Sequence, residues 1–317
     1  MASVVVLSAA QLVALVVYLV SGGTDPEPGV DPATAPLPIE RTEAAYEGYG
    51  TWVDVYDFLP AMQTGGAEPP ITPADVDEMA DHGVRTLYLQ AAREDPRTSG
   101  ELVEPALLGE FLARAHDQGV RVVGWYLPHF GDVSRDLAHL EAISRFEDGG
   151  HRFDGLAVDI EWTRSVPDAG QRSERLVELS QRLRDQVGDD PLGAIVLPPV
   201  QLEEVNRRIW PDFPWEELAP VYDAWLPMGY WTDRRAESGW RDATAYTEAN
   251  VERLRDNLGD DDAVVHPIGG IGDAATADDL TLFARALADT GAVGGSVYDW
   301  ATLSPAERDQ LADALAG

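Results

Sequence analysis

The chain has 317 residues, 44% of them hydrophobic, with 56 acidic residues against 23 basic ones, a net charge of −33 and no cysteine. So negative a surface repels phosphate backbones and anionic lipid, which argues against nucleic-acid partners, and the lack of Cys rules out disulfides, thiol nucleophiles and thiolate metal sites. Every basic residue is Arg; the absence of Lys beside abundant Ala, Gly and Asp points to a high-GC coding sequence, while the charge would also suit a salt-rich setting.

Val4 to Val20 carries no charge and is apolar apart from Ser8, Gln11 and Tyr18. Residues 1–21 are therefore expected to form a signal peptide or an N-terminal membrane anchor, and with no basic residues in front of the apolar run the two are not separated. Residues 22–48, rich in Gly, Pro, Asp and Glu, read as a flexible linker. The rest, 49–317, reads as one domain, expected outside the cytoplasm, touching membrane only through the N-terminal segment, and monomeric.

Beyond Tyr49, short apolar, β-branched or aromatic runs alternate with longer amphipathic segments. The pattern predicts strands at 51–58, 85–91, 121–127, 154–161, 193–198, 223–230, 263–268 and 293–299. Helices are expected between them. Thr72-Pro-Ala-Asp75, Thr276-Ala-Asp-Asp279 and Ser304-Pro-Ala-Glu307 are helix-opening signals, and Gly83 and Gly119 sit where helices stop. Eight such units match an α/β fold of the (β/α)8 TIM-barrel kind. An open doubly wound sheet would want a Gly-rich turn after the first strand, where the sequence is Phe58-Leu-Pro-Ala61.

In such a barrel, function sits at the C-terminal ends of the strands. Strand one ends near Asp54 and Asp57, each either a second reacting carboxylate or a core acid paired with Arg. Strand three ends at Trp125-Tyr-Leu-Pro128, with His129 as a candidate substrate contact. Strand four, Asp154-Gly-Leu-Ala-Val-Asp-Ile-Glu-Trp162, places Asp159 and Glu161 two apart and so on one face, in a run with little other polar surface. Ionised carboxylates there need a partner or an opening to a cleft. Strand six ends Trp225-Leu-Pro-Met-Gly-Tyr230, followed by Trp231, and strand eight ends Ser296-Val-Tyr-Asp-Trp300, which adds Asp299. The aromatic faces of Trp125, Trp231 and Trp300 would suit pyranose rings, and packing under loops is the plain alternative. Gly269-Gly-Ile-Gly272 reads as a tight turn rather than a phosphate site, because Asp273 follows at once. The six His show no metal-ligand spacing, and no motif calls for a metal or an organic cofactor.

Three of these segments together resemble family 18 glycoside hydrolases, the chitinase-like barrels. Strand four is similar to the family's Asp-Gly-x-Asp-x-Asp-x-Glu signature at Asp154, Gly155, Asp159 and Glu161, strand six to its Met-x-Tyr at Met228 and Tyr230, and strand eight to the place of its Trp floor at Trp300. The resemblance implies a glycosidase in which Glu161 is the general acid, Asp159 its electrostatic partner and Tyr230 a group orienting the sugar, with Trp300 as a platform; from their positions at strand ends alone, Trp231 is expected as a second platform and Trp125, His129, Asp57 and Asp299 as further contacts. Ala157 stands where the family has its middle Asp, and Trp231 where an Asp or Asn commonly follows the Tyr. Both departures touch the N-acetyl-assisted chemistry, which leaves three readings: a hydrolase of altered specificity on a polysaccharide or cell-wall glycan, a non-catalytic carbohydrate-binding barrel at the cell surface, and an unrelated sugar-processing barrel.

Overall fold

The run Gly155-Leu-Ala-Val-Asp-Ile160 is buried along its whole length, as a parallel strand covered by helices must be. Repeated round the molecule, this pattern builds the fold. The computed structural model describes residues 41–98 and 100–315; the expected N-terminal segment, 1–21, and most of the expected linker lie outside the described residues. The strands are β1 (Gly48–Val53), β2 (Thr86–Gln90), β3 (Arg121–Tyr126), β4 (Gly155–Ile160), β5 (Leu192–Val196), β6 (Ala224–Pro227), β7 (Val264–Val265), β8 (Ile268–Ile271) and β9 (Gly294–Tyr298). Each pairs in parallel with the next from β1 to β7, and β8 pairs with β9, which returns to β1. The two ends of this nine-stranded sheet, β7 and β8, are consecutive in the chain, and a parallel bridge from Met228 to Ile268 brings β8 against the continuation of β6. The sheet is thus strongly curled, in the manner of a TIM barrel.

Helices α1 (Val55–Phe58), α2 (Val76–Asp81), α3 (Pro105–Asp117), α4 (Val133–Arg145), α5 (Ala169–Val187), α6 (Trp215–Leu218), α7 (Ala243–Leu258), α8 (Ala277–Thr290) and α9 (Pro305–Leu315) alternate with the strands. Their starts follow local chemistry: Asp132, Asp168 and Asp242 accept hydrogen bonds from the first-turn N–H groups of α4, α5 and α7, and Thr276 and Asp279 cap α8 reciprocally. Gly83 and Gly119 adopt φ of +79° and +72°, as expected of residues that end helices. Among the described residues no helix is long and apolar enough to cross a membrane.

Several boundaries differ from the sequence reading; strand six, expected to run to 230, stops at Pro227. Strand one stops at Val53, because Asp54 accepts from the Tyr56 N–H and turns the chain into α1. Strand seven is split at His266-Pro267, where Pro has no N–H to give the ladder. Arg41 to Glu47, within the expected linker, is built into the fold: Glu43–Tyr46 is a 3-10 turn with Ala45 and Tyr46 buried, and the Tyr46 hydroxyl donates to Leu156 O at 2.8 Å. A two-stranded hairpin, Glu147–Asp148 with His151–Arg152, also precedes β4.

Alternation along the strands divides the core. Leu156, Val158 and Ile160 of β4 pack outward under the helices, while Ala157 faces inward with Trp52, Tyr88, Val123, Trp125, Ile195, Leu226 and Ile268. Below the inward aromatics runs a buried polar chain. The Trp52 indole N–H donates to Ser296 Oγ at 2.8 Å, Ser296 Oγ meets His266 Nε2 at 3.1 Å, and His266 Nδ1 meets Tyr46 O at 2.8 Å. Because a carbonyl only accepts, Nδ1 carries the proton and Nε2 accepts from the serine. Burial favours this neutral imidazole and lowers the His266 pKa to about 4.

Candidate active site

The same inward parity carries Asp159 and Glu161 to the C-terminal end of β4, where a cavity of about 330 Å³ opens. Asp159 is 7% exposed, whereas Glu161 is open to solvent on its cleft side and enclosed by protein elsewhere. Burial, then the Glu161 charge, pushes the Asp159 carboxyl well above the usual range, and burial also raises Glu161. Burial thus favours the protonated form of both, more strongly for the deeper Asp159. Tyr230 lines the cavity beside them, and burial followed by both carboxylates raises its hydroxyl pKa, so it stays a donor.

Aromatic side chains form the walls. Trp52 stacks on Tyr88 at 4.3 Å between ring centres and meets Trp125 edge-on at 5.9 Å, with Tyr298 at 6.3 Å. Tyr56 stands at the mouth, 47% exposed. Asp54 faces the cleft and is well supplied with donors: Oδ1 accepts from the Tyr56 N–H at 2.7 Å and Oδ2 from the Tyr298 hydroxyl at 2.5 Å. Gln90 and Arg93, from the end of β2 and the loop after it, complete that side.

Of the residues singled out in the sequence, the cavity therefore gathers Glu161, Asp159, Tyr230, Met228, Trp125 and Asp54. It does not take the others. Trp231 and Trp300 have no exposed surface and belong to the outer core, so neither can lie under a sugar. Trp231 packs on Phe283 and over Gly269 and Gly270, where any Cβ would stand 2.8–2.9 Å from its ring, which explains the glycines of that turn. Trp300 lies between His82 and the Arg308 guanidinium, the latter 4.2 Å from its ring centre. His129 is at the rim, stacked on Trp162 at 4.4 Å, with Glu94 at 3.6 Å from its Nδ1.

Asp57 and Asp299 lie behind Asp54 rather than in the cleft, and one oxygen from each of the three falls within 4.8 Å of the others. Three carboxylate oxygens are a donor set for a hard cation. Here the local donors already engage them, Asp57 Oδ2 by the Asp54 N–H and Asp299 Oδ1 by the Thr302 N–H. Burial, then the neighbouring Asp299 and Asp54, pushes Asp57 up to about 7.

The residues missed in the sequence are Trp52, Tyr56, Gln90, Arg93 and Tyr298. Parity could have found two of them. Trp52 lies on the inward face of β1, and Tyr298 is two beyond the inward Ser296 on β9.

No protein-family model matches the sequence, and no curated protein sequence matches it. Solved structures do. A putative chitinase C-terminal domain from Desulfitobacterium hafniense superposes with a TM-score of 0.57 at 10% identity, covering 85% of this chain and 98% of that one. The spore cortex-lytic enzyme SleL of Bacillus megaterium gives 0.56 at 8% identity over 85% of this chain and 74% of that one. The endo-1,4-beta-D-mannanase of Thermotoga petrophila gives 0.55 at 11% identity over 80% and 88%. The likeness is one of fold. It identifies the curled sheet as that of TIM-barrel enzymes and leaves the chemistry to the residues.

Proposed function

We propose that the protein is a glycoside hydrolase of the family 18-like kind, acting outside the cytoplasm on a polysaccharide or cell-wall glycan, with Glu161 as its general acid. The observation that carries this reading is the pairing of a cleft-facing Glu161 of raised pKa with a more deeply buried Asp159, beside Tyr230 and between aromatic walls. The names of the structures similar in fold, a chitinase, a mannanase and a cortex-lytic enzyme, agree with it.

In the proposed reaction Glu161 gives its proton to the glycosidic oxygen as the bond from that oxygen to the anomeric carbon breaks. Asp159, uncharged beneath it, avoids a second negative charge against the same site, and the Tyr230 hydroxyl orients the sugar. Water forms the new bond to the anomeric carbon. Asp54, the other carboxylate lining the cleft, replaces Asp57 and Asp299 as the proposed second acid and takes the water's proton. Placement outside the cytoplasm rests on Val4 to Val20 alone.

One observation favours the competing reading, a barrel that binds glycan without cleaving it. Ala157 is fully buried where the resemblance implies an Asp, and Asp159 Oδ1 above it is buried with no hydrogen-bond partner among the described residues. Turnover of labelled glycans, with and without N-acetyl groups, by the full chain and by Glu161→Gln separates the two. Cleavage lost in the variant supports the hydrolase; binding without cleavage by the parent chain sinks it in favour of the binding barrel.

A further inference from the structure

Arg93 is the only basic residue lining the cleft among the described residues. In a chain of net charge −33 several other arginines pair closely with acids: Arg41 with Asp190, Arg114 with Asp77, Arg184 with Asp223 and Arg308 with Glu78. Arg93 does not. Its nearest carboxylate oxygen, Asp95 Oδ2, is 3.8 Å from Nε, beyond hydrogen-bonding range, and Nε is buried without a partner among the described residues. Asp95 is committed elsewhere, its two oxygens accepting from Arg97 Nε at 2.9 Å and Nη2 at 2.8 Å.

The Arg93 guanidinium is nonetheless held in place. Nη2 donates to the Tyr56 hydroxyl at 2.7 Å, and the guanidinium carbon sits 4.8 Å from the centre of the Tyr56 ring. Tyr56 is itself one of only two large apolar side chains exposed among the described residues. An oriented cation thus stands beside a flat aromatic face, at the mouth of a cleft whose three acids are muted: Asp54 accepts two hydrogen bonds, and burial favours the protonated forms of Asp159 and Glu161.

We propose that the cleft takes an acidic glycan, one with a hexuronic-acid residue, and that Arg93 reads the sugar carboxylate while Tyr56 carries the ring. A planar carboxylate is the partner a guanidinium fork fits best, and it would supply the countercharge that Asp95 gives to Arg97. This inference rests on the sugar-cleft reading proposed above and narrows it to a substrate class.

The test is a binding comparison on the full chain at fixed ionic strength. Methyl β-D-glucuronide and methyl β-D-glucoside differ at one carbon, the first carrying the carboxylate, and ligand-observed NMR titration gives the affinity of each. The parent chain is expected to favour the glucuronide by about tenfold or more, the effect of one charge-assisted contact. Arg93→Gln should bring that ratio close to one, and Arg93→Lys, which keeps the charge without the fork, should retain part of it. A purely structural Arg93 would alter the urea midpoint and leave the ratio intact. Equal binding of the two sugars, or a preference surviving Arg93→Gln, overturns the acidic-glycan inference and leaves the glycosidase reading standing. Binding of neither sugar overturns both.

Discussion

The Tyr298 hydroxyl donates to Asp54 at 2.5 Å, tying the end of the last strand to the turn after the first across the mouth of the cleft. Burial, then the Asp54 charge, raises the tyrosine pKa, so the hydroxyl remains a donor. Tyr298→Phe removes the bond and leaves the ring. The expected loss of stability is about 1–2 kcal/mol by urea unfolding. If Asp54 takes the water's proton, the same variant lowers kcat by about tenfold or more while KM moves less. A KM effect alone would return Asp54 to a binding role.

Asp57 gives a pH dependence of known sign. Its carboxyl is raised from 3.8 to about 7, first by burial and then by Asp299 and Asp54, so between those values the folded chain holds a proton that the unfolded chain has released. Stability from this group is present in acid and is lost as the pH rises towards 7. Asp57→Asn removes the dependence. Its stability relative to the parent should therefore grow by roughly 2–4 kcal/mol between pH 4 and pH 8, as read from urea midpoints across that range.

His266 works in the opposite direction. Its imidazole is lowered from 6.5 to about 4, first by burial, so between those values it is the unfolded chain that binds the extra proton. Stability from the neutral ring is full above 6.5 and is lost as the pH falls towards 4, by about 3 kcal/mol in all. In His266→Gln the acid loss between pH 6.5 and pH 4 should shrink by that order. An unchanged acid slope would show that the ring is not held neutral between Tyr46 O and Ser296.

Buried and cleft-facing aromatics should separate under mutation. Trp300→Ala is expected to cost about 3–5 kcal/mol by opening the outer core, with little change in the sugar affinity of the molecules still folded. Tyr56→Ala should do the reverse, weakening binding of an oligosaccharide by about tenfold with stability within about 1 kcal/mol of the parent. Calorimetric unfolding and a binding titration on the same preparations check both.

The order of strands and helices could be read from the sequence because hydrophobic alternation and helix caps are local signals. Asp159 and Glu161 are legible for the same reason, because a period of two places them on one face, whereas Tyr230 is legible only through the Met-x-Tyr resemblance. What local patterns do not carry is where a strand stops being a strand. The resemblance to a Trp floor puts Trp300 in the cleft, but the strand stops at Tyr298 and the Trp turns into the core; Asp57 falls in the cleft only if strand one runs on through the turn that Asp54 begins. Arg93 and Tyr56 lie outside any strand, and only the folding of two loops towards each other brings them together.

The turn that carries Tyr46 lies at the opposite end of the sheet from Glu161. Its ring fits beneath Gly155 and Gly193, its hydroxyl bonds to Leu156 O, and Arg41 just before it is fastened to Phe153 O, Ser144 O and Asp190. The chain thus enters the sheet through a plugged base, and a version trimmed to begin at Tyr49 would lose both the plug and the ties that Arg41 makes to it.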